Sequence, residues 1–318
     1  MDIEKVIRNK KPNLSASSMK LYVGVLRRLG SKLDVEPIQN FNYLTKFKRV
    51  IKILPTNKNT LKTYLAVIVV AMSTDPKYRK ALKMYQDFME TIAYEYSQDL
   101  EKQEKTEKQK AKWCSWEKLQ KKTRQRINDV KRYRYNQQDA LSKKSFQYLQ
   151  DTLILSLYIT QPPRRLEYGN MKIIKFNDYL NLDDEEETKN NWLIIPRNKK
   201  QRKYFLFNVY KTKKSYGTQM LRASRDVNYL VNVWIKHNKT KYFLLSNKEN
   251  KPLSMNGLTQ RLKSITREIC GKAISVSMLR HIFISEKVLK DAPMLKDLQN
   301  IAESMGHSLE QQQLYRKT

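Results

Sequence analysis

The sequence predicts a mainly α-helical chain with a small β-sheet, split into an N-terminal helical part and a C-terminal α+β part. Three observations predict it. Apolar residues recur at helical spacing from about residue 15 to residue 96. Residues 97–112 (SQDLEKQEKTEKQKAK) are almost wholly polar and read as a linker or a solvated helix extension, so the domain boundary is placed at residue 112. Beyond it, short strand-like runs sit among further helical patterns.

In order along the chain, Ser15-Ala-Ser-Ser18 can cap a helix whose apolar face carries Leu21, Val25 and Leu29. Phe41, Leu44, Phe47 and Ile51 predict a second helix over 41–54, broken by Pro55 and Asn57. A strongly apolar third helix spans 60–72 and stops at Asp75-Pro76, and a fourth spans 77–96. Together they make a small bundle. In the second part, 146–159 (FQYLQDTLILSLYI) is a buried helix by its length and apolar density. Strands are expected at 192–196, 204–210 and 220–223, giving a three-stranded sheet. Helical patterns return at 227–237, 258–269, 278–289 and 294–305.

Composition narrows the function. The 318 residues suit two domains, and 40% hydrophobic content suits packed cores. Lys and Arg number 63 against 31 Asp and Glu, a formal charge of +32. Such an excess repels itself unless a polyanion compensates it, and nucleic acid is the first candidate, ahead of an anionic membrane surface. A codon bias toward Lys explains many bases but not the scarcity of acids. No run of about 18 apolar residues occurs, so no membrane span is expected, and MDIEKVIRNKKPN has no signal-peptide core. Seven glycines form neither GxxxxGK[ST] nor GxGxxG. With three histidines (His237, His281, His307) no zinc site is expected. Cys114 and Cys270 lack ligand spacing and read as reduced, structural thiols of a reducing compartment.

Basic residues beside a His and a Tyr near the C-terminus fit one reaction, phosphoryl transfer from DNA to a tyrosine. It needs positive charge on the non-bridging oxygens, an acid for the leaving 5′ oxygen and a poised phenol. Arginine suits the clamp because its planar fork stays charged. Four segments supply these groups. The first is Gln161-Pro-Pro-Arg-Arg-Leu-Glu-Tyr168, just after the buried helix. The second is the strand Tyr204-Phe-Leu-Phe-Asn-Val-Tyr210 with the basic turn Lys211-Thr-Lys-Lys-Ser-Tyr-Gly217. The third is Ser277-Met-Leu-Arg-His-Ile-Phe-Ile284, and the fourth Ser304-Met-Gly-His-Ser-Leu-Glu-Gln-Gln-Gln-Leu-Tyr315.

In this order the segments resemble the motifs of tyrosine recombinases and integrases. The resemblance implies that Arg164, aligned on Glu167 and preferred over Arg165, clamps the scissile phosphate with Arg280, and that His307 donates to a non-bridging oxygen. It implies Tyr315 as nucleophile and a hairpin lysine as general acid, with Lys211 chosen and Lys213 and Lys214 as rivals. Ser277 stands where the family usually has His, so it either hydrogen-bonds a phosphate oxygen or caps its helix. His281 is then a packing histidine. Leu14-Ser-Ala-Ser-Ser-Met-Lys-Leu-Tyr22 and Leu61-Lys-Thr-Tyr-Leu-Ala66 resemble the family's helical core-binding domain. The implied architecture is a SAM-like core-binding domain over 1–112 and an α+β catalytic domain over 113–318, clamped around duplex DNA.

The implied reaction uses no cofactor, neither metal nor ATP. The implied assembly is a homotetramer on two double-stranded DNA duplexes, inside the cell and on DNA. The PPRR turn and the Lys-, Asn- and Tyr-rich style resemble integrases of large DNA viruses, virophages and related mobile elements. For a viral member the place is the host nucleus or a cytoplasmic replication site. Two alternatives stay open. One is a type IB topoisomerase-like enzyme, slightly favoured by the chain ending three residues after Tyr315. The other is a non-catalytic DNA-binding relative, favoured by Ser277.

Overall fold

A computed structural model describes residues 1–246, 251–290 and 292–304, the last four for their backbone only. The chain is mainly helical with one small mixed sheet. Contacts divide it into two units: Met1–Glu104 together with the segment that begins at Pro293, and Lys105–Ala292. The break falls inside the polar stretch 97–112. Each unit has its own hydrophobic core.

The first unit contains α1 (Ile3–Lys10), α2 (Ala16–Lys32), α3 (Phe47–Ile51), α4 (Lys58–Met72) and α5 (Arg79–Glu101). Side chains cap the helices as their sequences ask. Ser15 accepts from the Ser18 amide at 3.2 Å, and Asn57 accepts from the Thr60 amide at 3.1 Å. Such caps each contribute about 1 kcal/mol. α4 carries the β-branched run Val67-Ile68-Val69-Val70, a poor local helix former. It is helical because Leu61, Leu65, Val67, Ile68, Ala71 and Met72 are all buried, and packing outweighs propensity.

The helix expected over 41–54 is broken. Residues Asn42–Thr45 make a 3-10 turn, Lys46 leaves helical geometry, and α3 follows. The break lets two deep tyrosines reach backbone carbonyls: Tyr43 donates to Leu26 O at 3.2 Å and Tyr85 to Leu44 O at 2.8 Å. Burial pushes both phenols well above their ordinary pKa. α1, capped by Asp2, was not expected from the sequence, whereas α5 runs on to Glu101, which meets the helix-extension reading of the polar stretch over its first residues.

The second unit runs α6 (Glu107–Lys112), α7 (Trp116–Arg132), α8 (Lys143–Ile159), β1 (Lys172–Lys175), α9 (Phe176–Tyr179), α10 (Asp184–Lys189), β2 (Trp192–Ile195), β3 (Tyr204–Phe207), α11 (Lys213–Tyr216), β4 (Gln219–Arg222), α12 (Arg225–His237), α13 (Met255–Cys270) and α14 (Val276–Phe283). A π-helical turn, Ile284–Val288, continues α14, and α15 (Leu295–Ser304) belongs to the first unit. α8 is the axis of the core: every residue from Leu149 to Ile159 is buried, with α7, α12 and α13 packed around it.

The sheet has four strands in the order β1-β2-β3-β4, not the three expected. β1 pairs parallel to β2, and the short helices α9 and α10 make the crossover that a parallel pair requires. β2–β3 and β3–β4 are antiparallel, in registers that set Trp192 opposite Leu206 and Phe205 opposite Leu221. The interior-facing Phe205 and Phe207 meet Tyr168 edge-on, with ring centres 5.1 and 5.6 Å away.

The fold also joins distant ends of this unit. Glu286, on the π-helical turn, accepts from the Trp113 indole at 2.5 Å and from the Trp116 amide at 2.6 Å, capping the start of α7. Nearby, Cys114 and Cys270 are free thiols that interact with each other despite their separation in sequence.

Candidate functional site

The Pro162-Pro163 pair ends α8, since neither residue can donate the next helical hydrogen bond. The turn that follows is tied at both ends. Buried Gln161 donates to the Tyr168 hydroxyl at 2.8 Å and accepts from the Ser224 amide at 3.2 Å. Tyr158 donates to Arg165 O at 2.8 Å, and Asn191 donates to Glu167 O at 3.1 Å. Burial pushes the Tyr168 phenol up, and the Gln161 hydrogen bond and Arg164 charge offset part of that rise.

Within this turn Arg164 is held on three sides. Its guanidinium carbon lies 3.9 Å from the centre of the Phe207 ring and 5.4 Å from that of Tyr210. Its Nη1 donates to Gln219 Oε1 at 2.8 Å. Its Nε is buried with no hydrogen-bond partner among the described residues, and so is Oε2 of Glu167. An unmet charged donor costs about 1–3 kcal/mol or more, a cost that a ligand oxygen would remove. Arg165, by contrast, has no side-chain partner among the described residues.

Phe207, Tyr210 and Gln219 all belong to the β3–β4 hairpin, so the hairpin and Arg164 form one arrangement. Its base is rigid. Asn208 receives Thr218 Oγ1 at 2.9 Å, and the Asn208 amide donates to Asn191 Oδ1 at 2.9 Å. The Tyr210 hydroxyl donates to Gly217 O at 2.6 Å. Gly217 adopts φ 64°, the left-handed region that closes the turn after α11. Lys211 follows Tyr210 directly and is exposed, as is Lys214, while Lys213 is half-buried. None of the three makes an ion pair among the described residues.

Arg280 and Ser277 lie on α14. Met278, Leu279 and Ile282 bury one face of this helix, which leaves Ser277 and Arg280, three apart, on a shared face. Ser277 is exposed and does not cap the helix. Ser275 does, accepting from the Met278 amide at 3.3 Å, so the capping alternative for Ser277 is withdrawn. Arg280 is half-buried. His281 is exposed rather than packed, because it points off the buried face. His307 and Tyr315 lie outside the described residues. The structure therefore joins Arg164 to the lysine hairpin, and no hydrogen bond or ion pair joins Arg280 to either among the described residues.

No family model and no curated protein matches this chain.

The residues that sequence reasoning missed are those that hold Arg164. Phe207 and Tyr210 were visible only as strand residues, and Gln219 carried no signal, because their role is created by strand pairing. A second set of ionic groups, Arg126, Asp151 and Arg261, also escaped notice. Their partners lie more than a hundred positions away.

Proposed function

We propose that this protein cuts and rejoins DNA through a tyrosine–phosphate bond, as a site-specific recombinase or integrase. The observation that carries the reading is Arg164: stacked and anchored on a hairpin that presents exposed lysines, yet with a buried Nε that has no partner among the described residues. A guanidinium fixed before its ligand arrives is what stabilisation of a charged transition state requires. The excess of 63 basic over 31 acidic residues supports DNA as that ligand.

In this reading the Tyr315 hydroxyl attacks the scissile phosphorus, forming a 3′-phosphotyrosyl bond as the bond to the 5′ oxygen breaks. Arg164 and Arg280, with His307, balance the charge on the non-bridging oxygens. Ser277 offers a hydroxyl to one of them in place of a general base. Lys211 gives its proton to the departing 5′ oxygen, while the phenolic proton of Tyr315 passes to solvent, from which Lys211 is reprotonated. A 5′ hydroxyl from a partner strand then attacks the phosphotyrosine and regenerates the phenol. Bond energy is conserved, so the cycle closes without ATP. Exchange between two duplexes calls for a homotetramer, four active tyrosines in one assembly.

The deciding experiment uses a nicked duplex from which the 5′ fragment diffuses away. The wild-type chain should give a protein–DNA band that survives denaturation. Tyr315→Phe should give none while binding DNA nearly as tightly, because it removes one oxygen and no charge. A wild-type chain without the band would sink the proposal. A band persisting in the variant would move the nucleophile, with Tyr216, 67% exposed on the hairpin, the first place to look.

A further inference from the structure

A cavity of about 910 Å³ opens in the second unit between α7, α8, α13 and the end of α12. Its polar lining is unusual for its buried ions. Asp151, on α8, is 7% exposed and receives a two-pronged contact from Arg261 on α13, Nε to Oδ1 at 2.5 Å and Nη2 to Oδ2 at 2.6 Å. That fork uses Nε and Nη2, and Arg261 Nη1 makes no hydrogen bond among the described residues. Arg126, on α7, is 5% exposed, pairs through Nη2 with Glu268, and lies 4.7 Å from the centre of the Tyr148 ring. Its Nη1 is buried with no partner among the described residues.

Two guanidiniums in one cavity thus each keep a spare Nη1, one of them already cut off from water. Charge points the same way. The rim adds Lys143, Lys144 and Lys239, so among the described lining residues five cationic side chains face two carboxylates, both already engaged by arginine. The cavity also meets the first turn of α8, a 17-residue helix whose positive end favours anions. Glu268, 64% exposed, can follow Arg126 as its guanidinium turns toward a ligand.

We propose that this cavity binds a small phosphate anion, of the size of pyrophosphate, at a site separate from the one that handles DNA. Its tetrahedral oxygens accept from Nη1 of Arg126 and Arg261, and the rim lysines neutralise the remaining charge. A compact anion carrying two or more charges suits the excess of positive charge better than a single carboxylate does. The inference does not rest on the proposed recombinase chemistry.

The test is calorimetric titration of the full chain with inorganic pyrophosphate, and with orthophosphate, at physiological salt. One saturable site is expected. Arg126→Gln should weaken it at least tenfold. The exposed pair Lys143→Gln/Lys144→Gln should weaken it several-fold with an unchanged Tm, and it decides the matter if Arg126→Gln does not fold. Lys46→Gln/Lys48→Gln, the same charge removed from exposed positions of the first unit, should leave it intact. Equal weakening by both lysine pairs would show bulk charge only and overturn the site, as would the lack of saturation. A matching loss of DNA affinity in Arg126→Gln would overturn it too, by assigning the cavity to DNA phosphates.

Discussion

Arg164 and Arg165 are neighbours with opposite fates. Arg164 is stacked, anchored and left with one buried donor to fill; among the described residues Arg165 is fixed through its backbone carbonyl alone. Arg164→Ala should therefore reduce cleavage by a factor on the order of a hundred, the cost of a transition-state donor, while Arg165→Ala does less. Single-turnover cleavage rates decide it, and the reverse order would shift the alignment of the PPRR turn by one residue. Asp151 allows a test through pH. Burial pushes its carboxyl up from 3.8, and the Arg261 fork pulls only part of that back. The folded chain then holds this proton more tightly than the unfolded chain. Between 3.8 and the higher folded pKa, its contribution to stability grows as pH falls. Compared with Asp151→Asn, the wild type should gain relative stability in denaturant titrations as pH is lowered from neutrality toward 3.8. A relative loss instead would mean that the ion pair dominates over burial.

The hairpin is the element on which the proposed chemistry turns. Its base is tied by Asn191, Asn208 and Gly217, and its lysines make no ion pair among the described residues, so position along the turn distinguishes them. A 5′-bridging phosphorothioate replaces the alkoxide by a thiolate, which leaves without a proton. Lys211→Ala should fail on ordinary DNA and recover on the sulfur substrate, whereas Lys213→Ala and Lys214→Ala lose little on either. Rescue of Lys214→Ala alone would transfer the role to Lys214. Other elements show how far local pattern reaches. α2, α4, α8, α12 and α13 were legible because caps and apolar spacing agree within each segment. α7 was not, since WEKLQKKTRQRINDVKR looks solvated until its thin apolar stripe meets α8. Nor was β1, four residues whose strand state depends on pairing with β2, a crossover away.

At the scale of the whole molecule, charge dominates. With +32 formal charges, DNA affinity should fall steeply with salt, about a thousandfold or more between 50 and 200 mM if six or more phosphates are engaged. A shallow dependence in a salt-titrated binding assay would argue against a phosphate-led interface. That charge, the helical character of the chain and the order of the Arg, Lys, Ser-Arg and His-Tyr segments were determined by sequence alone, because composition and short-range periodicity do not depend on what folds against what. Which side chains converge was decided only by tertiary structure. Gln219 reaches Arg164 across 55 positions, Arg261 reaches Asp151 across 110, and Cys270 meets Cys114 across a longer gap still. Burial raises the cost of leaving polar and charged groups unpaired, so it selects partners through space, and a linear sequence carries no local mark of that selection.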